Sequence, residues 1–230
     1  MDPTGPDFVH AAVEAAKLAF ADREAYYGDP DFIDIPMDKL LSSAYNAERR
    51  ALITQQASSK LIPGKIDGYL GSIDKAIDDR SGLTAAASMG VGEPTVAKTG
   101  VSTGDTVHLD IIDRFGNMVS CTPSGGWLQS SPIIPKLGFC LGNRGQMFWL
   151  DEKSPSALVP RKRPRTTLSP SLALKDGKPY MVFGTPGGDQ QDQWSTLMFL
   201  HHADHGMNLQ EAIDCPAFHT DHFPSSFWPR

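Results

Sequence analysis

Thr106 opens a strand-like run, Thr106-Val-His-Leu-Asp-Ile-Ile-Asp, directly after a stretch that ends Thr103-Gly104-Asp105. A threonine hydroxyl is a poor nucleophile unless a neighbouring base takes its proton. If the chain cuts itself between Asp105 and Thr106, the freed α-amino group, which ordinarily titrates near a pH of about 8, becomes that base and is held within reach by the residue's own covalent geometry. Without such a cut the nitrogen is an amide and Thr106 is one β-branched residue chosen for a strand. A second feature is Gly184-Thr-Pro-Gly187-Gly188-Asp189, between a strand pattern and a helix pattern. It reads either as a turn that needs glycine for its backbone angles or as a pair of open N–H groups at a helix start, suited to an oxyanion. His201, His202 and His205 lie near a helix end, where imidazoles complement the dipole; two of them are four apart, a possible metal-ligand spacing, but no glutamate stands at a general-base position. His108 shares a strand face with Thr106 and is read as structural.

These residues must be carried by elements that the sequence also marks. Residues 7 to 27 repeat at helical spacing, with Val9, Ala12, Val13, Ala16, Ala19 and Phe20 expected inward, Glu14, Lys17, Arg23 and Glu24 elsewhere, and Asp7 as the cap. A second helical pattern runs from about Ser43 to Gln55, with Ala44, Ala47, Ala51 and Leu52 inward. Residues 57 to 105 are rich in Gly, Ser, Ala, Pro and Thr and read as a linker, long enough to suggest a functional or processed loop. Two hairpins follow: residues 107–112 with 118–122 around the Asp113-Arg-Phe-Gly-Asn turn, and Ser169–Leu174 with Tyr180–Gly184 around Lys175-Asp-Gly-Lys. Gln193 to Ala203 reads as a mostly buried helix, and Asn208 with Glu211 as a capping box.

Composition narrows the function classes. The 230 residues carry 40% hydrophobic and 21% charged side chains and a net charge of −6, a globular balance that argues against a nucleic-acid partner. Residues 1–105 hold 10 Lys+Arg against 16 Asp+Glu, whereas residues 106–230 hold 11 of each. The one basic run, Arg161 to Arg165, reads as a solvated surface turn. No run of eighteen apolar residues and no leader pattern marks a membrane span or export in this chain, which leaves the location unknown with a cytoplasmic one slightly favoured. Cys121, Cys140 and Cys215 are too few and too far apart for a disulfide framework, and Cys121 is expected in a core strand.

Four blocks, taken together and in order, resemble the γ-glutamyltranspeptidase family of N-terminal nucleophile hydrolases. They are Ala19-Phe-Ala-Asp-Arg with Tyr27-Gly-Asp-Pro-Asp-Phe, Thr106-Val-His with Gly116-Asn117, Lys162-Arg-Pro-Arg-Thr166-Thr167-Leu-Ser-Pro-Ser, and Gly184-Thr-Pro-Gly187-Gly188. The resemblance implies an α/β (α+β) fold of the αββα sandwich type, incomplete relative to the family. Residues 1–105 would correspond to the end of the large subunit with the processing linker, and residues 106–230 to a shortened small subunit. It implies Thr106 as nucleophile after self-cleavage at Asp105–Thr106, Ser124 as its hydrogen-bond partner, Gly187 and Gly188 as oxyanion donors, and Thr166 and Thr167 as substrate-binding hydroxyls.

Two departures bear on the acyl group. Gly126 stands where the family has a substrate-binding asparagine. In Gly142-Asn-Arg144-Gly-Gln-Met-Phe148 the family's aspartate, which holds the substrate α-ammonium, is absent and Arg144 is present. Arg144 would favour a carboxylate, as in the cephalosporin-acylase-like branch that accepts glutaryl groups. The implied activity is transfer or hydrolysis of γ-glutamyl or glutaryl amides, glutathione-type chemistry included. No cofactor and no metal are implied, and a second chain or a second copy would complete the fold. The competing reading is a catalytically inactive homologue serving as a folded binding or assembly module.

Overall fold

The computed structural model describes residues 1–69, 106–125 and 132–226. Asp105, Gly126 and most of the linker lie outside them. The chain divides into two compact units, one formed by residues 1–89, 147–165 and 218–230, the other by residues 90–146 and 166–217.

The first unit is built on helix α1 (Pro6–Tyr26), followed by α2 (Met37–Leu40) and α3 (Ser43–Arg50). α1 starts from Gly5 with Pro6 in its first turn, and Asp7 lies inside the helix rather than capping it. Its buried side differs from the apolar stripe read in the sequence, for Glu14, Lys17, Asp22 and Glu24 are buried while Ala19 is exposed. The reason is that residues 57–66 run along this side and offer backbone groups to charged partners. Glu14 accepts from Ser58 N, Lys17 donates to Ser58 O, and Asp22 accepts from Gly64 N at 2.7 Å. The described part of the expected linker is thus tied down by hydrogen bonds. α3 ends at Arg50, earlier than expected, and it buries Tyr45 and Arg49 while its alanines face out. Tyr45 belongs to a core with Ala25, Tyr26, Leu40 and Ile66, and Arg49 pairs with Asp22 at 3.2 Å and donates to Leu18 O at 3.1 Å. Small alanines gain less from burial than a tyrosine ring, so the larger side chain decides which way the helix faces.

The basic run in this unit is a clamp rather than a solvated turn. Arg163 donates through its backbone N and its guanidinium to Asp29, at 2.7 and 3.0 Å for the N and Nε bonds, and reaches Asp31 at 2.7 Å. Arg165 pairs with buried Glu24. Lys162 is buried and stands 5.9 Å from the Phe32 ring centroid. The Arg163 bonds hold the Asp29 carboxyl well below the usual carboxylate range. A depressed folded pKa gives stability that is present above the unfolded value of about 4 and is lost as pH falls through the folded one. Asp29→Asn is therefore expected to lower the Tm at pH 7, and the gap to the parent should close as the pH is taken below about 4. Thermal melts of the two proteins across that range check it; a gap independent of pH would contradict it.

Among the described residues, the second unit holds three antiparallel pairs: β1 (Leu109–Ile112) with β2 (Met118–Cys121), β3 (Ile133–Ile134) with β4 (Phe139–Cys140), and β5 (Ser171–Lys175) with β6 (Lys178–Phe183). In the first turn the Asp113 carboxylate accepts from the backbone N of Phe115 and Asn117 and from Asn117 Nδ2, and those bonds lower its pKa. In the second, Asp176 and Gly177 both take positive φ, 54° and 73°, the geometry that favours a two-residue hairpin of matching twist. The β3–β4 pair has no counterpart in the sequence reading, because two-residue strands leave no alternation to detect. Helix α4 (Gln191–Ala203) leaves the glycine turn after β6, and Phe199 stacks on Phe183 with centroids 5.3 Å apart. α5 (Leu209–Asp214) begins with the expected Asn208–Glu211 capping box.

The expected hairpin of residues 107–122 forms as a two-stranded ribbon, and its β1 strand is exposed rather than set in a larger sheet. Leu109 pairs with Cys121 and Ile111 with Val119, and Val107, Leu109, Ile111 and Val119 are 61, 43, 56 and 48% exposed. Cys121 is exposed as well, contrary to its core assignment. The opposite face is polar and more covered at its Thr106 end, where Thr122 is buried and Thr106, His108 and Ser124 are half-buried, whereas Asp110 and Ile112 farther along it are exposed. Ordinarily a half-solvated antiparallel sheet turns its polar face to water. Among the described residues no helix is long and apolar enough to cross a membrane.

Candidate functional site

The more covered face of the β1–β2 ribbon carries the candidate residues. The ladder register extends beyond the strand ends, for Val107 N donates to Pro123 O at 3.2 Å. Residues spaced by two therefore line one face: Thr106, His108 and Asp110 on one strand, opposite Ser124, Thr122 and Ser120 on the other. Thr106 Oγ1 donates to Ser124 Oγ at 2.9 Å. Arg144, in the short 3-10 turn Arg144–Met147, donates from Nη2 to Ser124 Oγ at 3.2 Å and from Nη1 to Thr167 Oγ1 at 3.1 Å. Four of the residues singled out in the sequence, Thr106, Ser124, Arg144 and Thr167, are thus joined by one run of hydrogen bonds. Asn143 N also donates to Gly125 O at 2.9 Å, which seats the arginine-bearing segment against the end of the β1–β2 ribbon.

Thr166 stands apart from this run. It is exposed, and its Oγ1 accepts from Leu168 N at 3.1 Å, whereas Thr167 is buried. Gly187 and Gly188 form the turn between β6 and α4, with φ of 131° and 46°. A side chain at Gly187 would be strained by that φ and would also meet the Trp194 ring at 2.6 Å, so both backbone and space demand glycine. A short 3-10 turn, Gly188–Gln190, then leads into α4, so these N–H groups belong to the first turn of a helical segment. Asp189, Gln190 and Gln191 behind the turn are all buried, and Ser169 donates to Asp192, tying the stretch after Thr167 to the start of α4.

A second polar network lies next to Thr106, beyond the structural placement expected of His108. His108 bonds Thr122 Oγ1 through Nδ1 and Asp110 Oδ2 through Nε2, both at 2.8 Å. The signal was present as polar residues at every second position of both strands, masked by the apolar residues between them. The histidines near the end of α4 have structural neighbours: His202 bonds Tyr180 Oη at 2.6 Å and Met207 O at 2.7 Å, and the His201 and His205 rings are 6.4 Å apart.

A similar arrangement of helices and small sheets occurs in solved relatives. The cephalosporin acylase from Bacillus halodurans aligns with a TM-score of 0.68 at 30% identity, covering 92% of this chain and 32% of its own. A variant of LmbA2991 aligns with a TM-score of 0.81 at 52% identity, over 99% of this chain and 38% of that one. The glutathione hydrolase proenzyme of Pseudomonas sp. (strain A14) is 31% identical over 229 residues, which is 95% of this chain and 35% of that protein. The chain spans about a third of the length of these relatives. The gamma-glutamyltranspeptidase family profile matches residues 1–228. That match takes in nearly all of the chain, and the chain therefore belongs to the γ-glutamyltranspeptidase family.

Proposed function

We propose that this chain supplies the nucleophile and acyl site of an amide hydrolase or acyltransferase acting on γ-glutamyl or glutaryl amides. The observation that carries the reading is the bond from the Thr106 hydroxyl to Ser124, continued through Arg144 to Thr167. In the activating step Thr106 Oγ attacks the Asp105 carbonyl carbon, the C–N bond breaks as the nitrogen takes up the proton, and water hydrolyses the resulting ester. This leaves the Asp105 carboxylate and a free Thr106 amine. That amine is the base for turnover: it accepts the hydroxyl proton as Oγ attacks the substrate carbonyl and passes it to the departing amine. Water or an acceptor amine then takes the acyl group from Thr106.

In this reading Ser124 orients the hydroxyl, while Gly187 and Gly188 donate to the developing oxyanion. Arg144, Thr166 and Thr167 receive the acidic end of the acyl group; the fork of a guanidinium matches a carboxylate. Residues 106–230 act as the small-subunit-like region and residues 1–105 as the end of the large-subunit-like region, within an αββα sandwich completed by a second chain or a second copy. The exposed apolar face of Val107, Leu109, Ile111 and Val119 supports such a covering partner. The same face also favours a second reading, an inactive module that only binds or assembles.

Incubating the purified chain and reading it by gel and intact mass separates the two. Two fragments of about 105 and 125 residues, the longer beginning at Thr106 and gaining the mass of one acyl group on brief exposure to a glutaryl anilide, are expected. One uncut and unlabelled chain would sink the enzymatic reading.

A further inference from the structure

We propose that His108 is a positioning residue for the reaction of Thr106, and that Gly184 is glycine in order to admit its ring. The nucleophile strand and the start of the Gly187–Gly188 turn are then held as one piece. This rests on the reading of Thr106 as nucleophile.

His108 stands one row along the covered face from Thr106, opposite Thr122 as Thr106 stands opposite Ser124. Its side chain is 10% exposed, and both ring nitrogens are engaged, Nδ1 with Thr122 and Nε2 with Asp110. A carboxylate can only accept, so Nε2 carries a hydrogen, and Nδ1 is occupied by a hydroxyl. The ring is committed on both sides and is not poised to take the Thr106 proton. What it does touch is Gly184, the residue that follows β6. A Cβ built there would overlap His108 Cε1 and stand 2.9 and 3.0 Å from Nε2 and Nδ1. The edge of the imidazole lies against the Gly184 backbone.

Gly184 differs in this from the glycines beyond it. Gly187 and Gly188 have positive φ and need glycine for conformation, whereas Gly184 is not among the positive-φ residues, so only space excludes a side chain. Next to it, Ser120 Oγ donates to Phe183 O at 3.2 Å, a second tie between the ribbon and the end of β6. Two rows of the ribbon thus meet two consecutive residues of the segment that delivers the oxyanion turn. Since misplacement of about 1 Å between reacting groups costs on the order of 100-fold in rate, a rigid spacer between the nucleophile strand and that turn has a direct kinetic consequence.

A double-substitution cycle tests this, using His108→Ala, Gly184→Ala and the pair, in the full chain, read by self-cleavage rate and by thermal melting. Each single substitution is expected to slow cleavage about 10- to 100-fold. The pair should be no slower than His108→Ala alone, because the new methyl group enters the space the ring has left. His108→Asn, whose amide can keep the Nδ1-type bond to Thr122 but is too short to stand against Gly184, should recover only part of the rate, which separates the spacer from the Thr122 bond. In the melts, Gly184→Ala should lower Tm in the parent and leave it unchanged in the His108→Ala background. Multiplicative rate losses, or a His108→Ala chain that cuts at the parental rate, would overturn the positioning role. A parent chain that never cuts would overturn the reading of Thr106, and the positioning role with it. The melting cycle still decides in that case whether ring and glycine are in contact.

Discussion

Thr106→Ala should leave one uncut chain of 230 residues and abolish turnover of any amide, a loss of about 10⁴-fold or more in kcat. Without the hydroxyl nothing attacks the Asp105 carbonyl, and no acyl-enzyme can form. Thr106→Ser keeps the oxygen that bonds Ser124 and should still cut, more slowly, because the lost methyl group leaves the side chain freer to rotate away. Ser124→Ala should cut with a rate reduced about tenfold, the cost of one hydrogen bond of about 1.4 kcal/mol on the attacking group. Gel densitometry over time on the three purified variants gives the order expected: serine at 106 and alanine at 124 intermediate, alanine at 106 inert. Cleavage at the same bond in Thr106→Ala would reject an intramolecular mechanism.

Substrate choice should depart from the family's usual preference. Glutaryl anilides are expected to be turned over at least as well as γ-glutamyl anilides, compared by kcat/KM on processed protein. The segment that would supply an acid for the α-ammonium holds Arg144 instead, and that guanidinium lies two hydrogen bonds from Thr106 Oγ1, of 3.2 and 2.9 Å. An ammonium brought into a partly dehydrated site without a charged partner costs roughly 1–3 kcal/mol, about tenfold or more in preference. Arg144→Ala should lower kcat/KM for the glutaryl compound by about 10- to 100-fold, since a charge-assisted contact to a carboxylate contributes roughly 1.5–3 kcal/mol. Because Arg144 also bonds Ser124 and Thr167, part of that loss should appear in kcat. A strong preference for the γ-glutamyl compound would show that another group holds the ammonium.

The sequence by itself determined the local elements and singled out the candidate reacting groups. Strand alternation, the Asp113–Asn117 and Lys175–Lys178 turns and the Asn208–Glu211 box are set by contacts within a few residues, so they were legible without the fold. Thr106 and the glycine turn stood out for the same reason, being oddities of residue type at an element boundary. Which way each element faces was decided only by tertiary structure. α1 turns Glu14, Lys17 and Glu24 inward because residues 58 and 165 bring partners from 41 to 141 positions away, and α3 turns Tyr45 inward because a core awaits a large ring. Helical periodicity counts apolar side chains and cannot see a charge that is satisfied from afar. The β1–β2 ribbon shows the same limit most sharply. Alternation announced two faces, but not that the polar face, carrying Thr106, His108, Thr122 and Ser124, would be the covered one. That choice follows from what β6 and Arg144 offer across the fold: carbonyl and guanidinium partners for hydroxyls, and a bare glycine for an imidazole.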